Sequence, residues 1–453
     1  MKQGFGQRSL PLEHTRPLRG EGRFTADHKL ASYWLEDAPL AVLPSTALPA
    51  KTDVAIIGAG YSGLVAALSV ARAGRGVTVL DAEDAGFGCS TRNGGQCGAG
   101  LKNGFDDLTA SYGKPRALAL YREALASLDF LNRFVADEEI ACDYNHCGRF
   151  MGAHAPGHYE KMARSFETHR RELGIECHVV PRAEQHAEID SDAYFGGGVV
   201  ASHTSLHPAK YHRGLLERVL ATAAAVHPHT PVVGIERHQA GGFTVTTTRG
   251  RIKAGEVIVA TNGYTNNLES FPALSRRIIP IGSYMIATEP LAPGVMDRLM
   301  PRDRVISDSR RVVLYYRASP DRKRILFGGR VALAETDPAI SGPRLHAILC
   351  GIFPEIASVR ISHSWMGFVG YTFDQMPHIG VWDGLHYTMG YCGSGVAMAS
   401  YLGHKIAHKL LGNKQGDTAF DDLPFQTRPL YYGKPWFLAS AIAWNKFLDR
   451  IAR

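Results

Sequence analysis

Asp53-Val-Ala-Ile-Ile-Gly58-Ala-Gly60-Tyr61-Ser62-Gly63-Leu64 is the stretch whose reading decides the fold. Residues 53–57 form a short apolar run, the pattern of a buried strand, and the run stops at Gly58. Leu64 to Ala73 reads as a helix with Gly74 as its C-cap, and Val77 to Leu80 reads as a second strand. The whole is a βαβ unit of about thirty residues. Asp81 closes the second strand, 23 residues after Gly58. The glycines serve different ends. Gly58 permits the tight turn, Gly60 lets a pyrophosphate approach the backbone, and Gly63 lets helix pack closely on sheet. The helix N-terminus offers unpaired N–H groups to phosphate, and Asp81 can accept hydrogen bonds from ribose hydroxyls. This unit predicts a dinucleotide contact set of Gly58, Gly60, Tyr61, Ser62, Gly63, Asp81 and Ala82.

The next segment, Gly86-Phe-Gly-Cys-Ser90-Thr91-Arg92-Asn93-Gly94-Gly95-Gln96, is a second glycine-rich loop. Its hydroxyls, amide groups and one guanidinium suit phosphate or flavin-ring oxygens. Further on stand Ala287-Thr-Glu-Pro-Leu291, Tyr315-Tyr316-Arg317, Phe327-Gly-Gly-Arg330 and a closing turn, Gly390-Tyr-Cys-Gly393-Ser394-Gly395-Val396. With Ser32-Tyr-Trp near the start, these motifs span about residues 32–411. The chain resembles the D-amino-acid oxidase/sarcosine oxidase superfamily, in particular its γ-glutamylputrescine oxidase-like branch; bacterial L-pipecolate oxidases are similar along the same motifs.

The resemblance implies FAD as cofactor and oxidation of a C–N bond in an amine or amino acid to an imine, by hydride transfer to flavin N5. It adds Ser90, Thr91, Arg92, Asn93, Gly94, Gly95, Gln96, Gly393, Ser394, Gly395 and Val396 to the cofactor set. Val369 stands where monomeric sarcosine oxidase-like relatives carry a linking cysteine, so noncovalent FAD is expected. Tyr284, Tyr316, Arg317, Arg330 and His378 are the candidate pocket residues. An arginine there would clamp a substrate carboxylate, or else pair with an acid between domains. Relatives place a lysine above the flavin that helps oxygen react, but no lysine lies between Ala254 and Arg322. The electron acceptor is therefore oxygen or a membrane quinone, and a third possibility is a flavin-binding subunit that needs partner chains.

Composition supports a globular α/β protein. Hydrophobic residues make up 45% and charged residues 21%, and 453 residues exceed what one core fills. The expected architecture is a Rossmann-like FAD-binding domain interleaved with an α+β substrate domain built on a mixed sheet. The expected divisions are an arm over 1–50, FAD-binding pieces over 51–100, 177–268 and 361–425, substrate pieces over 101–176 and 269–360, and a tail over 426–453. The net charge of +7 is scattered among acids, which argues against nucleic acid. Seven cysteines form no paired metal-binding pattern, so no metal site is expected and a reduced, cytoplasmic setting is. The charged N-terminus lacks an apolar signal core, and no apolar run approaches the ~20 residues of a membrane-spanning helix. In the tail, Phe437, Ala441, Trp444, Leu448 and Ile451 recur at helical spacing, opposite Lys446, Asp449, Arg450 and Arg453. Such a helix lies on an inner-membrane surface or docks on the protein itself.

Overall fold

Period-2 alternation and short apolar runs become two sheets. The computed structural model describes residues 22–267 and 271–451, so Arg453, the side chain of Arg450 and the first part of the 1–50 arm lie outside the described residues. The first sheet grows around Lys51–Ile57, whose last four residues are buried on both faces as a parallel central strand requires. Val77–Leu80 and Gly250–Val259 flank it in parallel, and Ala225–His227 continues beyond Val77–Leu80. Gly250–Val259 also pairs with Leu385–Met389, so strands far apart in sequence meet at the core.

The second sheet has nine strands and is mixed. Its order is Phe24–Lys29, Ile361–Tyr371, Ile279–Thr288, Ile325–Gly329, Tyr315–Ala318, Val305–Asp308, Arg149–Gly152, Gly197–Val200, Cys177–Val180. One face packs on the helix Pro338–Ile352, where Tyr284, Ile286, Tyr316 and Phe327 share a core with Leu345 and Leu349. The other face turns toward the dinucleotide-binding half through Trp34, Met285, Ala287, Leu326 and Trp365.

The fold class is as expected, but three expected divisions fall differently. Cys177–Val180 and Gly197–Val200 lie in the nine-stranded sheet rather than with the dinucleotide-binding piece. Ile361–Tyr371 does too, pairing along its length with Ile279–Thr288. Conversely, the helices Phe105–Tyr112 and Lys114–Asp137 bury Phe105, Leu120, Leu128 and Leu131 in the same core as Leu64 and Leu68 of the first helix. Strand pairing is a long-range choice that leaves no local trace in the chain, which is why a linear reading misplaces these boundaries. The arm is also more ordered than its composition suggests: Phe24–Lys29 is an edge strand, and Trp34 is fully buried.

Candidate active site

Two uncapped helix N-termini and one loop converge between the sheets. The first helix, Tyr61–Arg72, begins at Gly60, which has no side chain to cap it; Ser90 Oγ takes the Tyr61 N–H, and the Ser62 and Gly63 N–H groups stay open to a ligand. Gly58 has φ +103°, and a Cβ on Gly63 would stand 1.9 Å from the Gly58 carbonyl oxygen. No other residue fits that corner. The side chains of Tyr61 and Ser62 are already engaged, Tyr61 through its hydroxyl with the Pro208 carbonyl (3.1 Å) and Ser62 with the Tyr391 hydroxyl (2.6 Å). What Ser62 offers a cofactor is its backbone N–H, since the Tyr61 N–H is held by Ser90. Asp81 accepts the Ala59 N–H at 2.7 Å and the Glu83 N–H at 3.1 Å, and burial lifts its carboxyl pKa to about 6. Ala82, beside it, is exposed.

The Gly86–Gln96 loop holds its own shape with the groups that sequence nominates for the cofactor. Ser90 Oγ accepts the Tyr61 N–H (3.1 Å), and the Thr91 hydroxyl donates to the Gly86 carbonyl (2.8 Å). Arg92 donates to the Phe87 carbonyl at 2.7 Å and lies over the Phe87 ring. Asn93 accepts the Gly95 N–H and donates to the Cys89 and Ser90 carbonyls. Gln96 donates to the Ile306 and Tyr316 carbonyls, fastening the loop to the nine-stranded sheet. The arm holds the loop from outside, as Ser32 Oγ donates to the Thr91 carbonyl and Trp34 Nε1 to the Asn93 carbonyl, both at 2.8 Å. Gly94 stays bare, and a Cβ there would meet the Tyr315 ring at 3.0 Å.

The third piece is the turn before the helix Gly395–Leu410. Gly393 has φ +99° and Cys392 φ +50°, and the helix starts after Ser394 without a side-chain cap. Ser394 instead donates to the Gly100 carbonyl at 2.5 Å, and Val396 is buried. The two helix ends, the glycine corner at Gly58 and Gly63 and the Asp81 carboxylate form a cradle that fits an extended dinucleotide cofactor.

The five nominated pocket residues do not converge on that place. Pleating explains Tyr284 and Tyr316: both point into the core under the helix Pro338–Ile352, where the Tyr316 and Tyr194 hydroxyls pair at 2.9 Å. Tyr284 donates to Glu335 at 2.7 Å. Arg317 is buried and spends its guanidinium on the carbonyls of Gly95, Leu206 and Ala318. Arg330 pairs with Glu335 at 2.9 Å and donates to the Gly282 carbonyl at 2.6 Å. His378 pairs with Asp374 at 3.0 Å and stacks on Phe425.

Their neighbours face the cradle instead. Tyr315 and Ser283 share a hydroxyl contact of 2.9 Å on the loop side of the sheet, and burial pushes the Tyr315 phenol up to about 12. The Tyr371 hydroxyl comes within 3.7 Å of a Cβ built on Gly393, and burial raises its pKa too. Lys102 enters from the loop after Cys97. That loop is pinned on one side by Ser394 to Gly100 and on the other by the Asn103 amide donating to the Asp374 carbonyl (2.8 Å). Lys102 is accessible, has no hydrogen-bond or ion-pair partner among the described residues, and lies within electrostatic reach of Cys392 and of Asp449. Desolvation by the protein around it lowers the pKa of its ammonium. The signal that would have found Tyr315 was the parity of its strand: Tyr315 and Arg317 share a face, and Tyr316 takes the other.

Fold and site define the class of flavoprotein that pairs a βαβ dinucleotide-binding unit with a large mixed sheet. The chain belongs to the DAO family of FAD-dependent oxidoreductases, whose family pattern matches residues 53–409. It is 29% identical over 405 residues to a probable oxidoreductase OrdL of Haemophilus influenzae, covering 88% of this chain and 92% of that one. It is 30% identical over 378 residues to the γ-glutamylputrescine oxidoreductase of Escherichia coli, covering 83% and 88%. Among solved structures, glycine oxidase from Geobacillus kaustophilus shares the fold with a TM-score of 0.70 at 18% identity, over 84% of this chain and 99% of that one. L-amino acid deaminase from Proteus vulgaris does so with a TM-score of 0.67 at 16% identity, over 84% and 99%. The protein is an FAD-dependent enzyme, and among the described residues no helix is long and apolar enough to cross a membrane.

Proposed function

We propose that the enzyme oxidises the C–N bond of a carboxylate-bearing amine, an L-pipecolate-like cyclic amino acid or γ-glutamylputrescine, to the imine. The observation that carries this reading is the set of neutral hydroxyls at Ser283, Tyr315 and Tyr371 on the cradle side of the sheet, with the exposed cation Lys102 within electrostatic reach of Cys392 in the adjoining turn. FAD, bound noncovalently, supplies the two-electron acceptor for the C–H bond next to nitrogen. The phenols stay protonated at neutral pH, so they donate hydrogen bonds and orient the substrate without holding charge against it. A neutral amine meets them, and Lys102 draws the carboxylate to one end. The thiols of Cys89, Cys97 and Cys392 are pushed up to about 12 by burial, which leaves none as a ready thiolate for a flavin bond.

The test pairs substrates with and without the carboxylate, such as L-pipecolate and piperidine, in the parent and in Lys102→Met. KM for the acid is expected to rise about tenfold or more in the variant, with kcat little changed and the amine indifferent. A KM that ignores Lys102 would remove the carboxylate anchor.

A second reading concerns the acceptor and the setting: electrons pass to a membrane quinone rather than to oxygen, with the protein peripheral on the membrane. The exposed aromatic side chains of the C-terminal helix favour it. One peroxide formed per imine in air argues for oxygen; turnover only with a quinone argues for the membrane. Turnover by the purified single chain removes any need for partner subunits.

A further inference from the structure

The helix Leu438–Ile451 docks on the protein by one face and leaves an apolar face outside. Leu438 and Ile442 are buried, and Asp449 accepts the Arg311 N–H at 3.0 Å and the Val312 N–H at 3.3 Å. Lys446 donates to the Val331 carbonyl at 3.0 Å. The docked stripe is therefore rotated by about 100°, one residue along the chain, from the Phe437–Ala441–Trp444 face expected from sequence. Outward stand Trp444 at 60% exposure, Phe447 at 50% and Ile451 at 60%, with the two rings stacked at 5.6 Å. The segment leading into the helix exposes Leu430, Tyr432 and Trp436 as well. A soluble surface rarely gathers so many large apolar groups in so short a stretch of chain without a partner.

The chemistry around the stripe selects that partner. Trp and Tyr are side chains that settle at the headgroup level of a bilayer. Cations accompany them: Arg276 lies over the Tyr432 ring at 4.7 Å, Arg277 over the Trp382 ring at 4.1 Å, and Arg428 over the Phe373 ring at 5.4 Å. Lys434 and Arg311 are exposed nearby in the chain and across the docked contact. Asp449 is the one acid from Arg428 to Ile451, and backbone N–H groups already hold it. A second copy would bring the same cations against these, whereas anionic headgroups would neutralise them.

We propose that Trp444, Phe447 and Ile451, together with the exposed Tyr432 and Trp436 of the preceding segment and the cations around that segment, seat the enzyme on the surface of a bilayer containing anionic lipid. The inference deepens the membrane-peripheral setting of the second reading above, on which it rests, by naming the surface and the lipid, and it holds whichever acceptor takes the electrons.

The experiment is flotation of the full-length, FAD-loaded protein with phosphatidylglycerol–phosphatidylcholine vesicles and with phosphatidylcholine alone. The parent should float with the anionic vesicles and much less with the neutral ones, each engaged cation adding about fivefold at low salt. A Trp444→Ser/Phe447→Ser/Ile451→Ser variant should lose at least tenfold in partition. Its flavin absorbance and its turnover in solution should stay unchanged, since those side chains face water and touch none of the cradle. Equal flotation of parent and variant, or none by the parent, would overturn the proposal. So would a concentration-dependent dimer that disappears in the variant, because it would give the face to a second copy.

Discussion

Burial lifts the Asp81 carboxyl from 3.8 to about 6. An acid whose pKa is higher in the folded state binds protons more tightly there than when unfolded, so the apoprotein loses stability as pH rises from about 4 to 6. Ribose hydroxyls donating to the ionised carboxylate would pull the same pKa back down. FAD should therefore bind the apoprotein more tightly at pH 7 than at pH 5, releasing a proton. Asp81→Asn should weaken FAD binding about tenfold or more and flatten that pH dependence, both read by titrating the apoprotein with FAD. Arg317 gives the contrasting case. Its buried guanidinium holds the Gly95, Leu206 and Ala318 carbonyls, and Arg317→Met would leave them unpaired. A loss of about 2–4 kcal/mol in unfolding free energy, with weaker flavin retention, is expected by denaturant titration. A variant that stays stable and loses only affinity for carboxylate substrates would return Arg317 to the substrate.

At the scale of the element, what the sequence told depended on how local the rule was. The strand–turn–helix around Gly58, Gly60 and Gly63 was legible because each glycine answers a steric demand inside the same few residues. The Gly86–Gln96 loop was legible as a unit, but the work of its side chains was not. Ser90, Thr91 and Asn93 bond within the loop and its neighbours, so these side chains hold the loop in shape. Tyr315 and Tyr316 show where the limit lies. Adjacent strand residues point to opposite faces, yet which face looks at the flavin is set by the helix Pro338–Ile352 covering the other, a contact made far along the chain. The two tyrosines should therefore respond differently. Tyr316→Phe should cost about 1 kcal/mol of stability and leave kcat/KM alone. Tyr315→Phe should leave stability nearly unchanged and lower kcat/KM, checked by steady-state kinetics beside thermal unfolding.

For the whole molecule, the chain crosses between its two sheets repeatedly, and only the crossings at the glycine turns announce themselves. Cys177–Val180 and Ile361–Tyr371 carry strand patterns that would suit either sheet, so their membership waits on the fold. The C-terminal helix was visible by its 3.6-residue period, but the face it buries was decided by Asp449 meeting the Arg311 and Val312 N–H groups. The site thus gathers pieces from distant regions: Ser283, Tyr315 and Tyr371 from three strands of the nine-stranded sheet, Lys102 from the loop after Cys97, and the Gly393 turn. That assembly is the basis for reading the enzyme as an oxidant of carboxylate-bearing amines.

The most direct measurement is anaerobic mixing of the purified, FAD-loaded enzyme with L-pipecolate, L-proline, sarcosine and γ-glutamylputrescine while following flavin absorbance. Rapid bleaching by one of these carboxylate-bearing amines is the expected result, slowed in Tyr315→Phe and requiring higher concentration in Lys102→Met. A yellow enzyme that none of them bleaches would contradict the assignment of substrate class while leaving the flavin site standing. A protein that cannot be reconstituted with FAD would contradict the site itself.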